Sequence, residues 1–383
     1  MQKSFEYVAL AALFLLTLVP LVILDGTFFP FIVGKALVFR ILVEIAFVGF
    51  VLWALSTRSL VLRITPLTAV FGAFVVVMFI ADLLGINPVR SIWSNFERMD
   101  GWITLIHLFA LFVVAEHVLE ERWQRWMQTS LAVSVLVGMY GVLQIAGLFV
   151  IQQGGVRVDS TFGNATYLSV YALLHIFFVL WLCVGTRARA LWAVYGLVGL
   201  LNIYILYMTA TRGAFLGLVA GLGVGVLWYG LRTKRMKVLG VLVGVVMIGA
   251  GSFMLLQQYK EVPAIANSPT LSRIASISVD AGETRFALWR MAGQGFSERP
   301  FLGWGQGNFT PLFGKYYEPQ LYTQEPWFDR AHNVVVDWFV AGGIVGGSLY
   351  LLLFGIAGYV ALYCVREVRK QAVVVGLLVA YFI

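Results

Sequence analysis

ATYLSVYALLHIFFVLWLCV, residues 165–184, holds no Asp, Glu, Lys or Arg in twenty positions. A helix rises about 1.5 Å per residue, so this run is about 30 Å long, the thickness of the hydrocarbon core of a bilayer. Arg187 and Arg189 interrupt it, and further apolar runs follow at 190–210 and 213–230. Working outward, runs of the same kind occur at 5–24, 36–56, 65–84, 101–119, 129–150, 238–256 and 334–363, with 371–383 as the start of another. In lipid the backbone must satisfy its own polar groups, which these lengths allow only as helices. The alternating segments of about ten residues that mark a transmembrane barrel do not occur. The sequence therefore predicts an all-α polytopic membrane protein, a bundle of about ten to twelve transmembrane helices.

Composition agrees. Hydrophobic residues make up 60% of the chain and charged ones 12%, against roughly a quarter in soluble domains. The formal net charge of +8 does not point to nucleic acid, because the basic residues stand at span ends and form no soluble basic face. Cys183 and Cys364 lie in apolar runs without CxxC spacing, which supports neither a zinc site nor a disulfide framework. The run Phe5 to Leu24 is long for a signal peptide and has no small-x-small cleavage pattern after it, so it reads as a retained first helix.

Charge sets the orientation. With the N-terminus in the cytoplasm, fourteen Lys and Arg fall on the cytoplasmic side and six in the short outer links. The one long polar link, 257–333 between the ninth and tenth spans, is then extracytoplasmic. The reading is of a single transmembrane domain over 1–383, with 257–333 carrying part of the active site. The last apolar run, 371–383, is short for a span, so further segments are expected beyond Ile383.

The polar residues that could carry chemistry gather on the outer side. Thr211-Arg212-Gly213 joins two spans. Its guanidinium either grips an anionic group such as a lipid diphosphate or snorkels at a helix end. Glu283 to Arg290 reads as the start of a helix, with Asp280 and Glu283 as a capping box. Phe286, Trp289 and Phe296 share a face there and suggest a helix lying on the membrane surface, flanked by Arg285 and Arg290. These arginines bind phosphate or sugar, or are solvated charges. Residues 299–309 alternate Gly303, Gly305 and Gly307 with bulky and polar residues, a tight loop with exposed backbone amides. It lacks the Lys and Ser/Thr of a nucleotide P-loop. Asp329, Arg330, His332 and Asn333 lie at a loop–helix junction with Asp337 a turn beyond. There His332 is a candidate general base with acids nearby to orient it, or an incidental loop histidine. His107, His117 and His175 are in or beside spans and read as packing residues. Asn164 binds sugar hydroxyls or caps the following helix. The charges in 94–101 are expected to pair locally.

Taken in order, Thr211-Arg212-Gly213-Ala214, Arg285 with Trp289, Pro300 to Phe309, and His332-Asn333 before a Gly-rich span resemble the O-antigen ligase (Wzy_C-type) superfamily. Thr161 to Asn164 is similar as well. The resemblance spans roughly residues 90–365. It implies a GT-C-like transferase in the bacterial cytoplasmic (inner) membrane, metal-independent and inverting, with no cofactor. The implied donor is an undecaprenyl diphosphate-linked glycan, and the acceptor a hydroxyl of a lipid, glycan or protein at the outer face of the membrane. By the resemblance, His332 is the general base, while Arg212 and Arg285 bind the diphosphate and stabilise its departure. Arg290, Asn333, Trp289, Asn164 and Asn308 are implied to touch substrate. An O-antigen ligase is the first reading, with a Wzy-like polymerase or a protein O-oligosaccharyltransferase as alternatives. A lipid-linked glycan transporter or a non-catalytic membrane scaffold is the reading of another class. The sequence has no paired repeats of the kind transporters use.

Overall fold

The computed structural model describes residues 2–57, 63–152, 157–275, 283–323 and 327–383. Arg58, one of the fourteen charges assigned to the cytoplasmic side, and Asp280, the expected capping partner of Glu283, lie outside the described residues. The described secondary structure is helical. The helices are α1 (Gln2–Leu15), α2 (Val33–Thr57), α3 (Pro66–Leu83), α4 (Pro88–Trp93), α5 (Trp102–Val118) and α6 (Trp123–Ile145). They continue as α7 (Ala165–Gly185), α8 (Arg189–Met208), α9 (Arg212–Thr233), α10 (Met236–Gln258), α11 (Pro263–Ala266) and α12 (Pro269–Ala275). The last are α13 (Glu283–Glu298), α14 (Phe309–Lys315), α15 (Val334–Tyr363) and α16 (Val368–Phe382). Among the described residues, nine helices are long and apolar enough to cross a membrane, and α5 is a shorter apolar tenth. These match the ten expected spans one for one, and α16 is the partial eleventh. The protein is an all-α polytopic membrane protein.

The backbone forms two compact units. The first comprises Met1–Val19, Ile23–Arg122 and Ser278–Ala357; the second comprises Pro20–Val22, Trp123–Ile277 and Gly358–Ile383. In the second unit α9 and α16 approach at backbone distance. Gly217, Gly221 and Gly225 line one face of α9 at four-residue spacing, opposite Ala372, Gly376 and Ala380. A Cβ added at Gly221 would stand 2.5 Å from the Gly376 carbonyl oxygen. Lipid gives helices no hydrophobic reason to associate, so small residues that allow close van der Waals contact do this work.

In the first unit α15 is broken. Gly343 has φ 62° and ψ −161°, a region open essentially to glycine alone. A break in a span strands backbone groups, and the loop after α13 satisfies them. Trp304 N–H donates to the Val340 carbonyl at 2.9 Å and Gly305 N–H to Ala341 at 2.9 Å. In return Ile344 N–H donates to Pro300 at 2.7 Å and Val345 N–H to Phe301 at 3.4 Å. The contact leaves no room for side chains: a Cβ at Gly303 would stand 2.4 Å from the Val340 oxygen, and one at Gly343 2.3 Å from the Phe301 carbonyl. The amides of 304 and 305, expected to be exposed, are therefore consumed by α15. Behind this seam Phe74, Val75 and Met78 of α3 pack with Leu105 of α5 and Tyr350 of α15.

Gly343→Ala places a side chain against the Phe301 carbonyl and in a glycine-only conformation that costs about 1–3 kcal/mol. Its thermal midpoint in detergent is expected to fall clearly below wild type. Gly355→Ala, with nothing within 4 Å of the new methyl, is expected to leave the midpoint unchanged.

Candidate active site

Helix α13 is described over Glu283–Glu298, and it buries one face in the protein. Ala287, Leu288, Met291 and Ala292 enter a core with Trp304, Leu312, Phe328 and Ala331. Phe286 stays 55% exposed and meets Trp289 edge-on. Small residues predominate on the buried side because α14 and the 300s loop lie directly against it: a Cβ at Gly295 would overlap the Leu312 side chain.

This packing frames His332. Trp289 Nε1–H donates to the Ala331 carbonyl at 3.1 Å, and the Ala331 N–H donates to Asp337 Oδ1 at 2.8 Å. Both backbone groups of the residue before His332 are thus held, one from α13 and one from α15. His332 itself has φ 54°, the left-handed region that non-glycine residues seldom enter. Its ring is exposed and meets the buried Phe328 edge-on at 5.6 Å. Asn333 Oδ1 accepts from the Val335 and Val336 amides at 3.0 and 3.1 Å, so it caps α15.

The neighbouring charges are tied across the chain. Arg98 donates two bonds to Asp329, at 2.8 and 3.0 Å. Arg330 pairs with Asp100, which also accepts from Ser94 Oγ at 2.8 Å. The pairing expected within 94–101 thus runs mainly to 329–330. Burial pushes the Arg330 guanidinium below its usual pKa, and the Asp337 carboxylate opposes that.

The cations of the segment between α12 and α15 separate by partner. Arg290 forms a bidentate pair with Glu318 at 3.0 and 2.8 Å, which raises its pKa. Lys315 pairs with Glu298 at 2.6 Å, and Arg299 reaches the Leu84 carbonyl at 3.3 Å. Arg285 is exposed, one helical turn before Trp289 on the same face, and has no ion pair among the described residues.

Asn308 is buried, at 1% exposure, and its amide donates to Ser91 Oγ at 2.9 Å and to the Trp304 carbonyl at 2.8 Å. Ser91 Oγ donates to the Gln306 carbonyl at 2.9 Å, and Gln306 N–H donates to Asp82 Oδ1 at 2.7 Å. Asp82 and Ser91 were not among the sequence candidates. A signal existed, since Asp82 is the one charged residue of α3 and such residues in spans are expensive.

Arg212 and Asn164 belong to the second unit. Arg212 is the half-buried first residue of α9, whose N-terminus has no side-chain cap. Uncapped amides and the helix dipole there favour an anion. Arg157, also not among the sequence candidates, donates to the Thr209 carbonyl and to Thr211 Oγ1, both at 3.0 Å. It adds a second cation at this turn. Asn164 Oδ1 accepts from the Thr166 amide at 2.8 Å and caps α7. The remaining histidines each place Nδ1 against the carbonyl one turn back, His107 on Ile103, His117 on Val113 and His175 on Tyr171. No group of His, Cys, Asp and Glu suited to a metal ion occurs among the described residues.

The four main sequence motifs run from Thr211 to Asn333. Residues 197–351 match the O-antigen ligase family, Wzy_C. Comparison with curated proteins gives no match. The Wzy_C region contains Arg212, Arg285, Trp289, Arg290, Asn308, His332 and Asn333; Asn164, Arg157 and Asp82 lie before it. The match supports a membrane glycosyltransferase of the ligase or polymerase kind, acting on a lipid-linked glycan and an acceptor.

The Arg98–Asp329 pair is half-buried and bidentate, so it is expected to stabilise the His332 frame. A double-mutant cycle with Arg98→Ala and Asp329→Ala, read by thermal or denaturant unfolding, should give a coupling of about 1–3 kcal/mol. A coupling near zero would show the pair to be incidental.

Proposed function

We propose that the protein transfers a glycan from a polyprenyl diphosphate carrier, undecaprenyl diphosphate in bacteria, to an acceptor hydroxyl at the outer face of the cytoplasmic membrane, as an O-antigen ligase. The observation that carries this reading is His332. It is an exposed histidine on a strained backbone, preceded by a residue held from two helices, inside the Wzy_C region. A scaffold gives no reason to hold a histidine this way.

In this reading His332 takes the proton of the acceptor hydroxyl as its oxygen attacks the anomeric carbon. The bond from that carbon to the diphosphate breaks, and attack from the opposite face inverts the configuration. Charge grows on the departing diphosphate, where preorganised guanidinium groups stabilise it best. Arg285 is assigned to that charge because its donors are not committed to a carboxylate among the described residues. Arg212, with the uncapped amides of α9, is assigned as a phosphate ligand. Trp289, Asn333 and Asn308 act through the backbone they hold: Trp289 fixes Ala331, Asn333 starts α15, and Asn308 braces the loop that seals its break. Arg290 has two of its five donors and much of its charge engaged by Glu318, so it is the weaker candidate for the diphosphate. The amide nitrogen of Asn164 remains a candidate sugar ligand, its oxygen being used as a cap.

The architecture proposed is GT-C-like, with the N-terminus cytoplasmic, 1–383 as one transmembrane domain and the outer 257–333 segment carrying part of the site. No step requires a metal. Polymerase or protein-glycosylating activity differs from ligase activity only in the acceptor.

Purified wild-type protein, given a polyprenyl diphosphate-linked glycan and candidate acceptors, is expected to transfer the glycan without added metal. His332→Ala should reduce the rate by about 10²–10⁴-fold with the thermal midpoint preserved. Arg285→Gln should lower the rate more than Arg290→Gln. Transfer by the His332 variant at the wild-type rate would remove the general-base role. No transfer to any acceptor would favour transport or scaffolding, and the acceptor that succeeds identifies the subclass.

A further inference from the structure

A second concentration of charge lies in the second unit, at the end opposite Arg212. The segments 183–192, 228–239 and 363–372 carry nine basic residues and one acidic one, Glu367. They surround a cavity of about 640 Å³ among the ends of α7 and α9 and the starts of α8 and α16. Arg187, Arg369 and Lys370 line it, together with Trp192, Tyr229, Cys183 and Val184. Lys370 is held in place by Glu367 at 3.6 Å and lies 5.4 Å from the centre of the Trp181 ring. Arg187 and Arg369 have no ion pair among the described residues, and both are exposed. The lone carboxylate therefore leaves the cavity with a surplus of positive charge.

We infer that this cavity binds a phosphate-bearing anion, and that the occupant is the headgroup of an anionic phospholipid. The arginines offer forked donors matched to phosphate oxygens. Trp192 and Tyr229 are residue types that settle at headgroup level. Cys183 and Val184 in the lining offer an apolar contact that suits the start of a lipid's acyl chains more than a wholly hydrated ion. Basic pockets between spans on the cytoplasmic side are where such headgroups are held, and the charge rule assigns this end of the unit to that side. The inference is independent of the transferase reading, since none of these residues takes part in it.

The test uses the full chain in a zwitterionic detergent, titrated by calorimetry with dioctanoyl phosphatidylglycerol, dioctanoyl phosphatidylcholine and inorganic pyrophosphate. Phosphatidylglycerol is expected to bind at least ~10-fold more tightly than phosphatidylcholine, and R187Q/R369Q/K370Q to weaken it by ~10-fold or more. R189Q/K234Q/K237Q, with the same charge removed outside the cavity, should change it by less than about 3-fold. Should the triple cavity variant fail to fold, the single reversal Arg187→Glu is read the same way. Pyrophosphate that binds tightly and is lost in the cavity variant keeps the phosphate site but makes its occupant a soluble anion. Equal binding of the two lipids, equal loss in the two triple variants, or undiminished binding in a folded cavity variant would overturn the site.

Discussion

A broken span in lipid has unmade hydrogen bonds with no water to satisfy them, and the first unit is organised around one such break. At Gly343 the carbonyls of Val340 and Ala341 and the amides of Ile344 and Val345 leave the helical ladder. Irregular backbone at membrane depth is tolerated only where protein covers it. The segment Pro300–Gly305 provides that cover as a short reciprocal set of backbone bonds. An extramembrane loop is thereby obliged to reach into the unit. Its glycines arise from the same requirement, since a side chain at Gly303 would strike the carbonyl that the next residue must bond. The loop's own side chains are then fixed as well: Trp304 Nε1 bonds back to Gly295 at 2.8 Å, and Asn308 and Gln306 reach Ser91 and Asp82.

This explains which parts of the molecule were legible in the sequence. The spans were, because twenty apolar residues in lipid have one low-energy answer. The helix that carries Arg285 and Trp289 was legible, and so was the placement of His332 and Asn333 at a helix start. The role of the glycine loop was not. Its partners are carbonyls some forty residues away, and nothing local to Val340 says that its helix will break three residues later. The side of α13 that packs on the protein was not legible for a related reason. Phe286 is the more apolar residue, but Ala287 and Gly295 fit the narrow space that α14 and the loop leave. Charge pairing failed through distance too, since Arg98 finds Asp329 across 231 positions. The α9–α16 seam was legible in principle, because glycines at 217, 221 and 225 repeat with the helix.

The candidate site divides its residues between those that are tied down and those that are presented. Asp329, Arg330, Arg290 and Lys315 are engaged by opposite charges, and a guanidinium already bidentate to a carboxylate has its charge offset and fewer donors left for phosphate. Arg285 has no such competitor among the described residues. The family resemblance preferred it over Arg290, because that likeness centres on Arg285 and Trp289. The structure adds an energetic ground for the same order, which is independent of any family pattern.

The conformation of His332 then derives from the break more directly than from its own neighbours. The seam at Gly343 holds the upper segment of α15, from Val334 to Val340, against the loop core. That segment carries Asp337, which fixes the Ala331 amide, while α13, packed on the same core, fixes the Ala331 carbonyl through Trp289. A residue whose predecessor is anchored on both sides can be kept in a left-handed conformation that it would leave if the anchors loosened. A general base needs its ring directed outward and its backbone still, and a helix left unbroken at Gly343 would not have required the loop that completes this frame.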